Sequence, residues 1–381
     1  MRICLYTETA LPKMGGQELV VDALARQYQN LGHDVVVMAP HPRRPLRARD
    51  ETLPYRMVRH PLFISTRHFV SWYRWFLNRL HHKQQTDILH CHGVYPPGYL
   101  AGLTRRKRGI PTVITSHGGD VQADNVRLVK PLIRERIIEG LAAADSLVAI
   151  SRFTETRMRA LCPMAPIVSI PNGVDLAPFK PPAIRPPDLA EAIRPKNYFL
   201  FLGRLKERKG VDVLLQAMAC MSATADATLV VAGAGEERAA LEELSARSGL
   251  TNRVFFVGAA HHPAKAYLFQ NALATVVPSR VWEAFPLVVL ESFAAGTPVI
   301  GTRIPGLEDL VVPGKTGWLV PQEAPAELGR ALQEACNNPE RCRRLGQEAR
   351  RLAQNYDWSV VAQRHLDLYQ ELVGRKSALV A

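Results

Sequence analysis

Residues 201–218, FLGRLKERKGVDVLLQAM, pass from an apolar segment through a basic loop into a second, mostly apolar segment. The first segment predicts a β-strand that ends at Gly203, and the second predicts a helix that begins near Gly210. A helix N-terminus presents free N–H groups and a partial positive charge, so this turn predicts an anion site flanked by Arg204 and Lys209. The alternative is a solvated basic loop. Neither the Walker A pattern nor G-x-G-x-x-G is present.

Short β-branched runs alternate with helical stretches along the chain, in two series separated by the proline-rich residues 180–188. Fully apolar strands that alternate with helices indicate parallel sheets covered on both faces. The two series therefore predict an α/β protein of two doubly wound, Rossmann-like domains, at 1–180 and 181–357. Ligands of such sheets bind beyond the carboxyl ends of the strands, so we expect substrate in a cleft across which the two domains face each other.

The composition is that of a globular protein, with 47% hydrophobic residues. No apolar run approaches the roughly 18 residues of a membrane span. The N-terminal stretch MRICLYTETALPKMGG predicts a strand and a loop rather than a signal peptide. The six cysteines form no C-x-x-C pair, which favours a reducing, cytoplasmic location without a disulfide or zinc framework.

Positive charge is concentrated in the first half. Residues 1–190 hold 26 Lys/Arg and 15 Asp/Glu, a net charge of +11, whereas residues 191–381 hold 22 and 20, a net charge of +2. This asymmetry predicts an anionic partner: nucleic acid, anionic lipid or a phosphorylated substrate. We do not expect nucleic acid, because SWYRWF fits base stacking only loosely and no RRM, KH or helix-turn-helix signature is present.

Two further loops of the first half follow predicted strands. Gly15 and Gly16 precede a helix, where glycine lets the backbone approach a ligand closely, although a plain βα turn explains the pair equally well. His117 in TSHGGD lies where doubly wound folds place ligand-binding loops, although a lone loop histidine is often structural. His90 and His92 have the spacing of metal ligands on one strand face, but without a third ligand we favour core packing or substrate contact.

The segment EAFPLVVLE begins at Glu283 and ends at Glu291, with seven residues between the two carboxylates. Pro286 suits the first helical position, which places Glu283 in the loop at the carboxyl edge of the sheet and Glu291 inside an apolar helix. Glu291 then needs donors, and the two adjacent hydroxyls of a ribose supply them. Glu283 could bind the hydroxyls of a sugar, and the N–H groups of 285–287 a phosphate. The alternative for Glu291 is a salt bridge to an arginine of another layer.

Together these motifs resemble the retaining glycosyltransferases of the GT-B fold, family 4. The resemblance also includes GRLKERKG at 203–210, IPNGVD at 170–175, GTPVIGT at 296–302 and GLEDLVVPGKTGWLV at 306–320. It covers nearly the whole chain, and the combination is specific although no single motif is. It implies two Rossmann-like domains that close over a nucleotide sugar, with the C-terminal helix, 358–381, packing back on the first domain.

The resemblance also implies roles for individual residues. Arg204 and Lys209 would hold the nucleotide pyrophosphate, Glu291 the ribose and Glu283 the donor sugar. His117 would contact the donor sugar, and the Gly15–Gly16 loop would face the phosphates. The residues with catalytic roles are then Glu283, His117, Arg204 and Lys209.

One position departs from the family pattern. In EAFP this chain has Pro286 where the family has glycine. Pro286 removes one backbone N–H donor, so the phosphate contacts of this turn fall to Phe285 and Leu287. Arg204 and Lys209 would stabilise the negative charge on the leaving diphosphate. No Asp-x-Asp dyad stands at a plausible strand end, so we expect no metal cofactor. The resemblance implies retention through attack on one face of the sugar, and the sequence offers no covalent nucleophile.

The donor implied is a UDP-, GDP- or ADP-sugar, with base contacts near Gly258 after VFFVG. The acceptor implied is a carbohydrate, a lipid-linked glycan or a lipid. The alternatives are a GT-B-fold nucleotide-sugar epimerase, which needs no acceptor, and a basic-surface or nucleotide-sugar binding protein without catalysis.

Residues 69–83, FVSWYRWFLNRLHHK, have helical periodicity with one apolar face. The simple interpretation is a helix packed on the first sheet. It leaves Trp75 on the polar side, near a set of cations: Arg43, Arg44, Arg47, Arg49, Arg67, Arg79 and Lys83. We therefore expect the basic first domain to dock on an anionic membrane surface at the inner face of the membrane, where a lipid or lipid-linked acceptor is presented.

Overall fold

The computed structural model describes residues 1–42, 50–61, 69–123, 125–222 and 227–380. Backbone contacts divide the chain into two compact units: Met1–Asn172 together with Trp358–Ala381, and Gly173–Asp357. Within the described ranges, no helix combines the length and hydrophobicity that a membrane span requires.

The first unit is built on a parallel sheet of seven strands in the order β3-β2-β1-β4-β5-β6-β7. The strands are β1 (Arg2–Thr7), β2 (Asp34–Pro40), β3 (Arg56–His60), β4 (Ile88–His92), β5 (Thr112–Ser116), β6 (Ser146–Ala149) and β7 (Ile167–Ser169). The helices that follow these strands are α1 (Gly16–Asn30), α2 (Phe69–Gln84), α3 (Tyr99–Arg108), α4 (Pro131–Ala143) and α5 (Arg152–Leu161). The order 3-2-1-4-5-6 is that of a dinucleotide-binding sheet, here extended by one strand.

The second unit repeats this order in a six-stranded parallel sheet, β10-β9-β8-β11-β12-β13. Its strands are β8 (Tyr198–Leu202), β9 (Thr228–Ala232), β10 (Val254–Gly258), β11 (Ala274–Val277), β12 (Val299–Thr302) and β13 (Gly317–Val320). Its helices are α6 (Val211–Cys220), α7 (Arg238–Arg247), α8 (Ala264–Asn271), α9 (Leu287–Ala294), α10 (Pro325–Asn337) and α11 (Pro339–Ala353). Two parallel-sheet α/β domains confirm the predicted fold class.

The strands are apolar throughout because both faces of each sheet are covered. In β4, Leu89 and Cys91 pack into the core that α2 and α3 cover, while His90 and His92 point to the opposite face and are equally buried. The final helix, α12 (Trp358–Val380), belongs to this first unit. Its Tyr369 hydroxyl lies 3.1 Å from the hydroxyl of Tyr28 in α1.

The units meet in sequence between Asn172 and Gly173, rather than at the predicted position 180. Val174 forms an isolated bridge with Asp357, and the Phe179 ring lies 6.0 Å from that of Phe269. Gln270 Nε2 donates to the Phe179 carbonyl at 2.9 Å. These contacts tie the segment before the prolines to the second unit, which is why proline content misplaced the boundary.

Helix α2 buries the apolar face that its periodicity predicts. Tyr73 and Leu77 are each 3% exposed, whereas Trp75 is 56% exposed with the Arg79 guanidinium 5.6 Å above its ring. Of the other cations in the predicted membrane surface, Arg43, Arg44, Arg47, Arg49 and Arg67 lie outside the described residues, as does the side chain of Lys83.

Candidate active site

The strand order of the second sheet reverses between β8 and β11, which are hydrogen-bonded neighbours. In open α/β sheets this reversal opens a crevice beyond the carboxyl ends of the two strands, because the loops leave in opposite directions. The basic loop 203–210 follows β8, and the loop 278–286 follows β11. The predicted strand–loop–helix arrangement of 201–218 is confirmed, with α6 beginning at Val211.

A glycine constrains the basic loop at its end. Gly210 has φ +64°, and a Cβ there would meet the carbonyl oxygen of Pro278. Any other residue would strain the backbone and push the two loops apart. Arg204 is exposed at the start of this loop, and within the described ranges its guanidinium makes no hydrogen bond or ion pair. Its fork of donors is therefore available to a ligand.

The Glu283 carboxylate lies at the centre of the two loops and is almost removed from water. The residue is 7% exposed. Its Oε1 accepts from Lys209 Nζ at 2.5 Å and from Ser279 Oγ at 2.7 Å. Arg208 Nη1 lies 4.0 Å from the same oxygen. A buried carboxylate without partners would be costly, so the basic loop and Glu283 depend on each other electrostatically.

Arg280 connects the two loops and was not identified from the sequence. Its guanidinium donates to both carboxylate oxygens of Asp212, at 2.8 and 2.5 Å, and to the carbonyl of Glu207 at 2.8 Å. Its backbone N–H donates to the Arg208 carbonyl at 2.9 Å. Arg280 thus braces the loop that carries Lys209. The sequence shows only an arginine three residues after a strand, a pattern without a specific meaning.

The N-terminus of α9 faces the same edge of the sheet. Pro286 is the N-cap, with φ −77° and ψ 99°, and the helix begins at Leu287 rather than at Pro286 as predicted. Within the described residues the backbone N–H groups of Leu287 and Val288 make no hydrogen bond. Phe285 packs with its side chain against the core, its ring 6.2 Å from that of Tyr356. The geometry thus offers Leu287 and Val288 as free donors at this turn.

Glu291 lies one turn further into α9 and has a lysine partner. Its Oε1 accepts from Lys265 Nζ of α8 at 2.5 Å, and its side chain is 19% exposed. Burial raises the pKa of the Glu291 carboxyl above its ordinary value, although the Lys265 ammonium acts in the opposite direction. The predicted alternative, a salt bridge, is therefore present, but to Lys265 and not to an arginine. Lys265 was not singled out from the sequence because the α8–α9 contact is tertiary.

Gly258 ends β10, the edge strand that β9 separates from β8. It has φ +75°, and a Cβ there would lie 3.9 Å from Arg238 Nη1. The structure therefore brings Arg204, Lys209 and Glu283 to the two strands at the reversal, and places Gly258 at the sheet edge.

The first sheet reverses its order between β1 and β4. Gly15 is the N-cap of α1, and a Cβ on Gly16 would have no atom within 4 Å. The buried Glu18 carboxylate lies beneath this turn, accepting from Thr9 Oγ1 at 2.6 Å and pairing with Lys13 at 3.0 Å. Burial would raise the pKa of Glu18, but these two donors outweigh it and leave the pKa lowered.

His117 follows β5 and contacts a histidine of the neighbouring strand, His92 Nδ1 lying 3.1 Å from His117 Nε2. His90 Nε2 lies 2.7 Å from Thr115 Oγ1, and its Nδ1 contacts the Tyr369 hydroxyl. These contacts place His90 in the core, in line with the packing interpretation. In the described part of the chain, no group of three or more His, Cys, Asp or Glu side chains is arranged to hold a metal ion.

Comparison with known proteins agrees with this arrangement. The family model "Glycosyl transferases group 1" matches residues 190–352, and "Glycosyltransferase Family 4" matches residues 14–178. A D-inositol 3-phosphate glycosyltransferase of Thermobispora bispora is 30% identical over 95% of this chain and 91% of its own. The chain is a group 1 glycosyltransferase of family 4.

Another relative of this glycosyltransferase is a phosphatidyl-myo-inositol mannosyltransferase of Mycobacterium leprae, 32% identical over 74% of this chain and 73% of the relative. Among solved structures, sucrose-phosphate synthase from Thermosynechococcus elongatus superimposes with a TM-score of 0.80 at 25% identity, covering 98% of this chain and 100% of that one. Anabaena HepE in complex with UDP superimposes with a TM-score of 0.82 at 18% identity, covering 97% of this chain and 100% of HepE. The glycosyltransferase has the GT-B fold.

Histidines with little access to water in the first unit predict a loss of stability in acid. Burial lowers the pKa of His60, His117 and His365 to about 4, and lowers those of His90 and His92 well below the ordinary value. Between pH 6.5 and 4 the unfolded chain binds protons that the folded unit does not. Each histidine therefore removes up to about 1.4 kcal/mol of stability per pH unit as the pH falls.

We expect the urea midpoint of the first unit, followed by circular dichroism, to fall between pH 7.5 and 5.5. His365→Leu removes one of these groups and should make the decline shallower. Equal midpoints at both pH values would contradict the neutral, buried state of these histidines.

Proposed function

We propose that this glycosyltransferase moves a hexose from a UDP-, GDP- or ADP-sugar to its acceptor with retention of anomeric configuration. The observation that carries the proposal is the buried Glu283 carboxylate, joined to Lys209 at 2.5 Å where the order of the second sheet reverses. In support of a nucleotide-sugar donor, one structural neighbour, HepE, is described in complex with UDP-glucose.

In this proposal the basic loop binds the diphosphate. Arg204 is exposed and unpaired within the described ranges, so it can bind phosphate oxygens without breaking an existing contact. Lys209 holds Glu283 and presents a positive charge beside it. The free N–H groups at the start of α9 add a partial positive charge. As the glycosidic bond breaks, negative charge grows on the leaving diphosphate oxygen, and these fixed donors stabilise it.

The two glutamates then bind successive parts of the donor. Glu291, one turn inside α9, accepts hydrogen bonds from the ribose hydroxyls, and the Lys265 ammonium favours the ionised carboxylate against the effect of burial on its pKa. Glu283, outside the helix, accepts from hydroxyls of the transferred sugar. Lys209 and Ser279 fix its orientation before the donor binds. From the first unit we propose that His117 contacts the donor sugar and that the Gly15–Gly16 turn faces the phosphates.

For the acceptor we propose an anionic carbohydrate, a lipid-linked glycan or a lipid. The net charge of +11 on residues 1–190 favours such a partner. The names of two relatives include inositol 3-phosphate and phosphatidyl-myo-inositol, both anionic. A GT-B-fold epimerase is the competing enzyme, and incubation with a nucleotide sugar alone separates the two because an epimerase would convert it without an acceptor.

The two carboxylates should have separable effects. Glu291→Ala should weaken binding of the nucleoside diphosphate about 10–100-fold, because the ribose loses a charged acceptor. Glu283→Gln should bind the free nucleotide as the wild type does and lose transfer. Calorimetry with UDP, GDP and ADP and a turnover assay measure both.

Glu291→Ala also leaves Lys265 without its partner in this ion pair. The double variant Glu291→Ala with Lys265→Ala controls for that effect, because it removes both members of the pair. If Glu291 only balances Lys265, the double variant recovers nucleotide affinity; if Glu291 binds ribose, affinity stays low. Glu340→Ala, which removes an exposed ion pair to Arg343, serves as the surface control.

Arg204→Ala should lower turnover about 10²–10³-fold while leaving the fold intact, since one preorganised donor to the leaving group is lost. Arg330→Ala is the matched control, because that side chain is 75% exposed and, among the described residues, its ion pair is to its helix neighbour Glu327. We expect activity to persist in EDTA. Abolition by EDTA with recovery in Mg²⁺ or Mn²⁺ would show that a metal ion holds the leaving diphosphate.

We also propose that the first unit docks on an anionic membrane through the exposed side of α2. Trp75 and Arg79 form an exposed cation–π pair there, with an aromatic group suited to the headgroup level. Each cation near such a surface contributes about 1 kcal/mol, so a few give reversible, salt-sensitive binding.

The fraction of protein that sediments with anionic liposomes should therefore fall at high salt. Arg79→Glu should weaken binding to these liposomes about tenfold or more. Arg343→Glu makes the same charge change on an exposed helix of the second unit and should have little effect. Equal binding to neutral and anionic vesicles would argue against this surface, and the acceptor would then be a soluble molecule.

A further inference from the structure

His92 is a completely buried residue whose ring is stacked on the ring of His117. The ring centroids are 5.3 Å apart at an interplanar angle of 23°, and His92 Nδ1 lies 3.1 Å from His117 Nε2. His92 is 0% exposed, whereas His117 is partly exposed. The second nitrogen of His92, Nε2, is buried and has no hydrogen-bond partner among the described residues.

This unpartnered nitrogen limits where the protons reside. When two neutral imidazoles share one hydrogen bond, only one of the two facing nitrogens, here His92 Nδ1 and His117 Nε2, carries a hydrogen. If His92 Nε2 carried a hydrogen, a donor would be buried without an acceptor, and orphaned N–H groups are the rarest of unsatisfied buried groups. The favoured state therefore has the hydrogen on His92 Nδ1, which donates to His117 Nε2. Burial keeps both rings neutral near pH 7 because it lowers both pKa values.

We propose that His92 is a positioning residue that fixes the ring of His117 and leaves its proton on Nδ1. Within the described ranges His117 Nδ1 makes no hydrogen bond, so it presents an N–H donor at the carboxyl edge of the first sheet. Such a group binds an acceptor oxygen, for example a sugar hydroxyl, and does not serve as a base at that atom. The inference deepens the proposed function, because it rests on His117 contacting the donor sugar.

The elements around His92 hold it rigidly. Its ring lies 4.3 Å from that of His90 on the same face of β4. His90 is in turn fixed by Thr115 of β5 and Tyr369 of α12. Gln17 Nε2 donates to the His92 carbonyl at 2.9 Å. The orientation of His117 is therefore set by buried neighbours rather than by solvent.

The first test measures the tautomer directly in the full-length wild-type protein. Long-range ¹H–¹⁵N spectra distinguish the two neutral tautomers, and a His117→Gln variant assigns the signal. We expect His117 to carry its hydrogen on Nδ1. A signal from the Nε2–H tautomer would overturn the inference, whatever the activity of the protein.

The second test compares two substitutions of His92 in the transfer assay. His92→Asn keeps an amide nitrogen near the position of Nδ1 and should retain most of the activity, whereas His92→Phe fills the space without a donor. We expect His92→Phe to lower kcat about 10–100-fold with unchanged affinity for the nucleoside diphosphate, as for the loss of one preorganised hydrogen bond. His365→Phe is the matched control, because His365 is also buried and its ring centroid lies 5.5 Å from that of His90, while in the described part of the chain it makes no hydrogen bond to His117.

Equal losses in His92→Asn and His92→Phe, or in His92→Phe and His365→Phe, would reduce His92 to a packing residue and overturn the inference. A wild-type protein without transferase activity on any nucleotide sugar would instead refute the proposed function. In that case the tautomer measurement alone decides the inference.

Discussion

A parallel sheet places all of its strand-to-helix loops at one edge, and the rest of this structure depends on that constraint. Consecutive right-handed crossovers build each sheet outward from a central strand and then in the opposite direction. The loops after the two central strands therefore diverge and leave backbone groups and side chains uncovered. In the second unit these are the loops after β8 and β11, which is why residues about 75 positions apart in sequence, such as Lys209 and Glu283, form one hydrogen bond.

The two glutamates of EAFPLVVLE show how charge is stabilised at this edge. An isolated carboxylate with so little access to water would cost several kcal/mol. Each glutamate instead pairs with a lysine at 2.5 Å, Glu283 with Lys209 and Glu291 with Lys265. Both lysines come from elements that precede their partners in sequence. The apolar residues between the glutamates enter the core of the second unit and hold the loop carboxylate and the helix carboxylate at a fixed separation.

Much of this arrangement follows from local sequence patterns. The strand–loop–helix unit at 201–218, the two α/β domains and the placement of Glu283 in a loop and Glu291 in a helix depend on periodicity and turn residues. The residues that pair with these groups cannot be predicted from local patterns. The positions of Lys265 and Arg280 are determined by how helices and loops pack in three dimensions, and one cation among the 48 lysines and arginines of the sequence has no distinguishing pattern. The domain boundary was misplaced for the same reason, since Val174 and Phe179 belong to the second unit through distant contacts.

The spacing of His90 and His92 predicted only part of their environment. The period of two along β4 places His90 and His92 on one face, as a strand requires. What the spacing does not show is that β5 brings His117 beside His92, or that α12 returns to place Tyr369 against His90. The predicted choice between metal ligation and packing depended on these tertiary neighbours.

The return of α12 makes the first unit discontinuous in sequence, with Gly173–Asp357 inserted between its parts. Its core includes Tyr369, which is 0% exposed and contacts Tyr28. During synthesis the strands of the first unit wait for this helix while Gly173–Asp357 is made, an interval of roughly 10–40 s at about 5–20 residues per second. The first unit is thus completed by a helix that is synthesised after the whole of the second unit.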